Sequence, residues 1–147
     1  MQRLLPPLLL LLTLMIMIIV TFAWPGANII PLPVRWIGGV VAAIGICIAI
    51  RGARTFKQVG TNIKTFDKPQ KLVTTGLFAW SRNPMYLGFA LCSVGFGTAL
   101  GSMLALLIAA LFCVTLDRWY VRFEEAIMQD TFGAEYEAYR ARVRRWL

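Results

Sequence analysis

At 147 residues, with no histidine and a formal charge of +8, the chain lacks the usual neutral-pH proton carrier and the commonest zinc ligand. Its apolar fraction of 59% exceeds the roughly 45–50% of soluble domains, and its mean hydropathy is +0.68. Together these exclude a soluble domain and histidine-based catalysis. The basic residues fall just outside apolar segments, as the positive-inside rule requires, so the charge speaks against a nucleic-acid partner. Cys47, Cys92 and Cys113 lie far apart inside apolar runs. Neither metal-ligand nor redox spacing relates them, so they read as small buried hydrophobes and no metal is expected.

Leu4 to Ala23 is almost wholly apolar and uncharged. At about 1.5 Å per residue it reaches roughly 30 Å, the thickness of a hydrocarbon core. Met1-Gln2-Arg3 resembles the start of a signal peptide, but the apolar run is long for one and no small-X-small site follows. A retained span is therefore expected. Pro6 and Pro7 sit in its first turn, where a missing N–H costs little. Pro25 to Asn28, with Pro31 and Pro33, mark a turn-rich loop. Val34 to Ile50 follows as a second span, interrupted by Arg35, and Trp24 and Trp36 flank the loop as interfacial aromatics do. Gly38, Gly39, Ala42, Ala43 and Gly45 permit close helix approach.

Arg51 to Arg82 reads as a polar connector carrying Arg51, Arg54, Lys57, Lys64, Lys68, Lys71 and Arg82 against Asp67. The positive-inside rule places it, with Arg3, in the cytoplasm. Leu87 to Leu116 carries no charge and, at about 30 residues, is too long for one untilted span. Gly95, Gly97, Gly101 and Ser102 interrupt it. Two helices are expected, Pro84 to Leu100 and Ser102 to Met128, turning near Gly101. Gly133 reads as a helix C′ residue. Ala134 to Arg145 reads as a helix on the membrane interface, with Tyr136, Tyr139 and Val143 on one face and Arg140, Arg142, Arg144 and Arg145 around them. The expected fold is an all-α integral membrane protein of about four membrane helices. It forms one domain: two spans in 1–50, the connector in 51–82, and a helical hairpin with the last helix in 83–147.

Two ionisable clusters border the apolar hairpin, and such groups near bilayer depth tend to be functional. The first is Arg82-Asn83-Pro84-Met85-Tyr86-Leu87-Gly88. Pro84 suits the first helical turn and Asn83 the N-cap. One reading is a capped helix start with Arg82 and Tyr86 as interfacial anchors. The other uses the free N–H groups and partial positive charge of a helix N-terminus to hold a carboxylate. The second cluster is Glu124-Glu125. On a regular helix, Glu125 shares a face with Arg118 and Arg122, and Glu124 with Asp117, Tyr120 and Val121. Either Glu125 pairs with Arg122 on a solvated helix end, or a carboxylate takes a ligand's ammonium or hydroxyls. The hairpin brings both clusters to one membrane face.

Arg82-Asn83-Pro84-X-Tyr86 followed at a distance by Glu124-Glu125 resembles the isoprenylcysteine carboxyl methyltransferase and phospholipid methyltransferase superfamily. The pattern there is Arg-His-Pro-X-Tyr and Glu-Glu. The resemblance extends over Lys71 to Leu147 and includes Leu72-Val73-Thr74-Thr75-Gly76 and Phe132-Gly133-X-X-Tyr136-X-X-Tyr139. It implies an S-adenosylmethionine site formed by Leu72, Val73, Gly76, Asn83, Pro84, Tyr86, Gly88, Glu124 and Glu125, with Arg82, Asn83 and Tyr86 at the reacting end. Asn83 stands where the family has histidine. It preserves hydrogen bonding but not proton transfer. Methyl transfer from a sulfonium mainly needs alignment and exclusion of water, which suits a chain without histidine. The resemblance implies an amphiphilic or lipid-linked acceptor entering from the bilayer. A nicotinamide-dependent membrane reductase and a non-catalytic membrane binding protein are the alternatives.

The charge distribution generates a topology test. Cysteine labelling from outside intact cells is expected to modify position Asn28 and to leave Lys64 unmodified. External labelling at Lys64 overturns the assignment.

Overall fold

The computed structural model describes residues 4–25, 29–59 and 70–147. The expected loop tip at Gly26 to Asn28, Arg3, and the connector charges Lys64, Asp67 and Lys68 lie outside the described residues. The elements in chain order are α1 (Pro6–Ala23), α2 (Leu32–Val59), a 3-10 turn (Gly76–Ala79), α3 (Pro84–Leu100), α4 (Met103–Thr115), a π-helical segment (Leu116–Val121), α5 (Arg122–Phe132) and α6 (Ala134–Arg142). Three helical stretches, Pro6–Ala23, Leu32–Gln58 and Met103–Phe132, are long and apolar enough to cross a membrane, and α3 is a shorter apolar helix. The chain is an all-helical integral membrane protein. Exposed Leu11, Ile19, Phe22, Trp36, Ile37, Val40 and Leu111 form its apolar exterior, as expected where the solvent is lipid.

Glycines set the tightest packing. Gly38 and Gly45 of α2 lie seven residues apart, as do Gly88 and Gly95 of α3, so each pair falls on one helical stripe. A Cβ on Gly45 would lie 2.5 Å from the Cys92 nitrogen and 2.6 Å from the Gly88 oxygen. One on Gly38 would lie 2.6 Å from the Ala99 nitrogen. The backbones are therefore in direct contact, the arrangement small residues allow between membrane helices. Gly39, expected to share this role, faces open space.

The hairpin turns at Gly101, whose φ of +78° is left-handed and caps α3. The Ser102 side chain caps α4 by accepting from the Ala105 N–H. The Gly101 carbonyl accepts from Ile29 N–H at 3.0 Å and Ile30 N–H at 3.2 Å. Arg35 donates through Nε to the Ile30 carbonyl at 2.8 Å, and its guanidinium lies against Gly101, where a Cβ would collide. This end of the bundle is thus tied together by backbone groups. α1 packs along α3 and α4 through Met17, Ala105 and Ala109, with Leu14, Phe96, Leu100 and Ile108 around them. In α1, Thr13 and Thr21 donate to the Leu9 and Met17 carbonyls at 2.8 Å, satisfying both hydroxyls within the helix.

Three expectations need correction. The second span does not give way to a connector at Ile50, because α2 continues to Val59. Gly52 passes under Met85 and Phe56 is buried against Phe78, so the packing face extends past the first charge. The exit helix is not regular, since a π-helical segment interrupts it at Leu116–Val121. The last helix ends at Arg142 rather than Arg145. Its Tyr136 and Tyr139 are buried in protein, not laid on an interface.

The glycine contacts predict unequal alanine effects. Gly45→Ala forces the α2 and α3 backbones apart and is expected to destabilise by roughly 1–3 kcal/mol, as overpacking does. Gly39→Ala is expected to be neutral. Thermal unfolding in one detergent compares them, and identical midpoints would contradict the backbone contact.

Candidate active site

Pro84 begins α3 and presets its first turn. This points Arg82, Asn83 and Tyr86 toward the end of the exit helix. Asn83 occupies the N-cap position, but its side chain makes no capping bond. Instead Asn83 Nδ2 donates to the Arg145 carbonyl at 3.2 Å. Ser81 Oγ donates to the same carbonyl at 3.3 Å and accepts from the Asn83 N–H at 3.1 Å. The Arg82 N–H donates to the Arg144 carbonyl at 3.0 Å. The chain after α6 therefore doubles back as a strap across the start of α3.

The two glutamates meet this start as the hairpin expectation requires, and each has a different partner. The Tyr86 hydroxyl donates to Glu124 Oε1 at 2.6 Å. Glu125 lies between two guanidiniums: Arg82 Nη2 at 3.0 Å from Oε1 and Arg145 Nη2 at 2.5 Å from Oε2. Arg145 also reaches Asp117 Oδ1 at 3.5 Å, and Trp146 Nε1 donates to that oxygen at 3.2 Å. Glu125 thus pairs across the fold, not with Arg122 on its own helix. The wider turn of the π segment re-phases α5 relative to a regular helix, so a helical wheel drawn from Asp117 misplaces the glutamates. The Arg145 pKa is raised, first by its hydrogen bonds to Glu125.

A cavity with about 40 Å³ of free room lies among these groups, enough for a few waters. Of the expected site residues, Leu72, Val73, Arg82, Asn83, Pro84, Tyr86, Glu124 and Glu125 line it. Gly76 does not, and begins the 3-10 turn with φ +61°. Gly88 does not either: it is pressed against Gly45 and Ala49. Its part is to let α2 and α3 approach. Phe56, Phe78, Met85 and Met128 also line the cavity; Phe78 and Met85 fall beside the expected site residues without being counted among them, and Phe56 and Met128 were not anticipated. Phe56 and Phe78 meet edge to face at 4.9 Å, but the basic residues around Phe56 had marked it as connector. Tyr136 and Tyr139 complete the lining. Tyr139 donates to the Phe78 carbonyl at 2.6 Å, tying α6 to the 3-10 turn.

Among the described residues that line the cavity, one buried polar side-chain atom has no partner: Arg82 Nε, although another nitrogen of the same guanidinium holds Glu125. A buried unmet donor carries a desolvation penalty. The cavity lining therefore combines Arg82, whose Nε has no partner among the described residues, with the carboxylates of Glu124 and Glu125, donor and acceptor chemistry that matches an amino acid's two ends. The residues fit an S-adenosylmethionine-type ligand in chemistry. They do not yet fit one in size, since ligand sites usually span about 300–1,000 Å³.

The fold and site define a helical membrane protein with a polar cavity at one end of an apolar hairpin. Comparison with known proteins gives that class a family. The sequence model described as phospholipid methyltransferase matches residues 34–135, and the chain belongs to that family. A protein-S-isoprenylcysteine O-methyltransferase of Schizosaccharomyces pombe is 34% identical over 77 residues, covering 52% of this chain and 33% of that protein. Its Saccharomyces cerevisiae counterpart is 37% identical over 75 residues, covering 49% and 30%. The chain therefore spans about a third of the length of these yeast relatives. A solved eukaryotic intramembrane isoprenylcysteine carboxyl methyltransferase superposes with a TM-score of 0.73 at 23% identity, over 92% of this chain and 49% of that one. The latter likeness establishes the fold.

Burial raises the Tyr139 phenol above its ordinary value of 10.0, with Tyr136 adding to the effect. Burial raises Tyr136 as well, and Glu125 contributes. Because these folded-state values lie above the unfolded ones, the stability they confer is intact below pH 10 and declines as pH rises beyond it. Tyr139→Phe is expected to lower stability at neutral pH by about 1–3 kcal/mol, leaving the Phe78 carbonyl unpaired. It is also expected to flatten part of the alkaline decline. Unfolding midpoints from pH 7 to 11 check both, and an unchanged alkaline slope contradicts the assignment.

Proposed function

We propose that the chain is an integral-membrane methyltransferase that takes its methyl group from S-adenosylmethionine and transfers it to an amphiphilic, lipid-like acceptor. Family membership supports the reaction class and argues against a nicotinamide-dependent reductase. The observation that carries the reading is the convergence of Arg82, Tyr86, Glu124 and Glu125 on one cavity, with Arg82 Nε unpaired among the described residues.

In this reading Arg82 would hold the cofactor's carboxylate, and Glu124 or Glu125 would hold its ammonium or ribose hydroxyls. Leu72, Val73, Phe78 and Met128 supply apolar contact. When bound, the cofactor supplies an already activated sulfonium methyl. The protein's task is alignment and exclusion of water. Tyr86 is fixed by Glu124 and stands at the reacting end. Asn83 holds the C-terminal strap through Arg145, so its place in the family pattern serves closure by hydrogen bonding without proton transfer. A ligand of this size would need more room than the about 40 Å³ that the cavity has here.

Access for the acceptor is supported by a second feature. An apolar groove of about 230 Å³ lies between α1, α2 and α3, lined by Pro6, Ala49, Ile50, Met85, Tyr86 and Phe89 among others. Met85 and Tyr86 border both groove and cavity. An apolar tail in the groove would bring its polar end to Tyr86, while the soluble cofactor enters from the cytoplasmic side that the basic residues indicate.

Titration of purified protein with S-adenosylmethionine tests the site. Glu124→Gln and Glu125→Gln remove charge while keeping shape, and at least one is expected to weaken binding roughly ten- to hundredfold, the value of a charge-assisted hydrogen bond. Glu124→Gln is the cleaner variant, because Glu125→Gln also leaves two guanidiniums without their anion. NADPH is expected not to bind. Wild-type affinity in both folded variants overturns the site.

A further inference from the structure

A separate cleft lies where α2 leaves the apolar zone. Its charge begins directly after the run ending at Ile50, so it sits at the depth of lipid headgroups. Arg51, Arg54, Thr55 and Gln58 form one wall, and Leu77 and Trp80 of the 3-10 turn region form the other. The open volume is about 580 Å³. Arg54 and Gln58 follow Arg51 by three and seven residues, which places all three on one face of the helix. Thr55 spends its hydroxyl hydrogen on the Arg51 carbonyl at 3.0 Å, so the two guanidiniums and the Gln58 amide are the side-chain donors of the α2 wall. Among the described residues no ion pair engages Arg51 or Arg54 and no acidic residue lines the cleft. Trp80 is 78% exposed. A two-arginine wall without an ion pair among the described residues, opposite an exposed indole, is suited to an anionic headgroup whose glycerol and upper acyl chains lie against Trp80 and Leu77.

We propose that this cleft is a binding site for the phosphate headgroup of an anionic phospholipid in the adjoining leaflet. The geometry favours a lipid over a free anion, because one wall is apolar and the cleft adjoins the hydrocarbon-facing end of α2. The site shares no lining residue with the candidate active site, and its existence does not depend on the proposed reaction. Its effect on the protein is to anchor the α2 end and the 3-10 turn to the same lipid.

Delipidated protein in neutral detergent, offered equimolar phosphatidylglycerol and phosphatidylcholine with matched acyl chains, tests the site by native mass spectrometry of the bound lipid. The wild type is expected to retain phosphatidylglycerol in about thirtyfold preference, the value of two basic side chains at a membrane surface. Arg51→Gln with Arg54→Gln is expected to bring the ratio near parity, and the Lys pair to keep most of it. Arg140→Gln with Arg142→Gln makes the same charge change on α6 and is expected to leave the preference intact. Three results overturn the proposal: parity in the wild type, equal loss in the α6 control, or full displacement of the lipid by millimolar glycerol phosphate.

Discussion

The site depends on one carboxylate held between two guanidiniums. Glu125 is only 12% exposed and Arg82 only 10%, so neither charge is at home without the other. Breaking a buried pair by removing one partner typically costs about 3–5 kcal/mol, since an uncompensated charge remains. The second guanidinium, Arg145, comes from the strap beyond α6. Glu125 thereby joins the start of α3, the end of the exit helix and the C-terminal strap. Around that junction the neighbouring bonds follow: Tyr86 to Glu124, Asn83 and Ser81 to the strap backbone, and Trp146 to Asp117.

The junction can form only because the helices beneath it are closely packed. Direct backbone contact through Gly38, Gly45, Gly88 and Gly95 brings α2 beside α3. That places Phe56 under the cavity and Met85 over Gly52. At the far end, Gly101 accepts from Ile29 and Ile30 and lies against the Arg35 guanidinium. In a bilayer, backbone polar groups must be satisfied within the protein, and this turn meets that demand with its own neighbours. The result is an apolar bundle closed at one end by backbone bonds and at the other by charge.

The polar end has two separate chemistries. The enclosed cavity combines carboxylates with a cation, while the open cleft at Arg51 and Arg54 has cations alone. Enclosure is what the proposed zwitterionic ligand would need, and exposure is what the proposed lipid site would need. The apolar groove shares Met85 and Tyr86 with the cavity, and in the proposed reading it would lead a membrane-dissolved acceptor to the polar groups.

The membrane-spanning stretches, the turn at Gly101 and the meeting of Arg82 and Tyr86 with Glu124 and Glu125 were legible in the sequence. Hydropathy, helix period and glycine placement are local properties, and a hairpin of two spans has only one way to return its ends to the same face. The strap was not legible, nor were the pairing of Glu125 with Arg145, the use of Asn83 to hold Arg145, or the burial of Phe56. Asn83 and Arg145 are 62 residues apart, and many basic residues could compete for one carboxylate. The π segment adds a local change of phase that no regular wheel contains. By itself the sequence determined which segments enter the bilayer and which residue types border them. Tertiary structure alone decided which of those charges are desolvated together, because that choice depends on where the chain returns after α6 and on how closely glycine lets the helices beneath it approach.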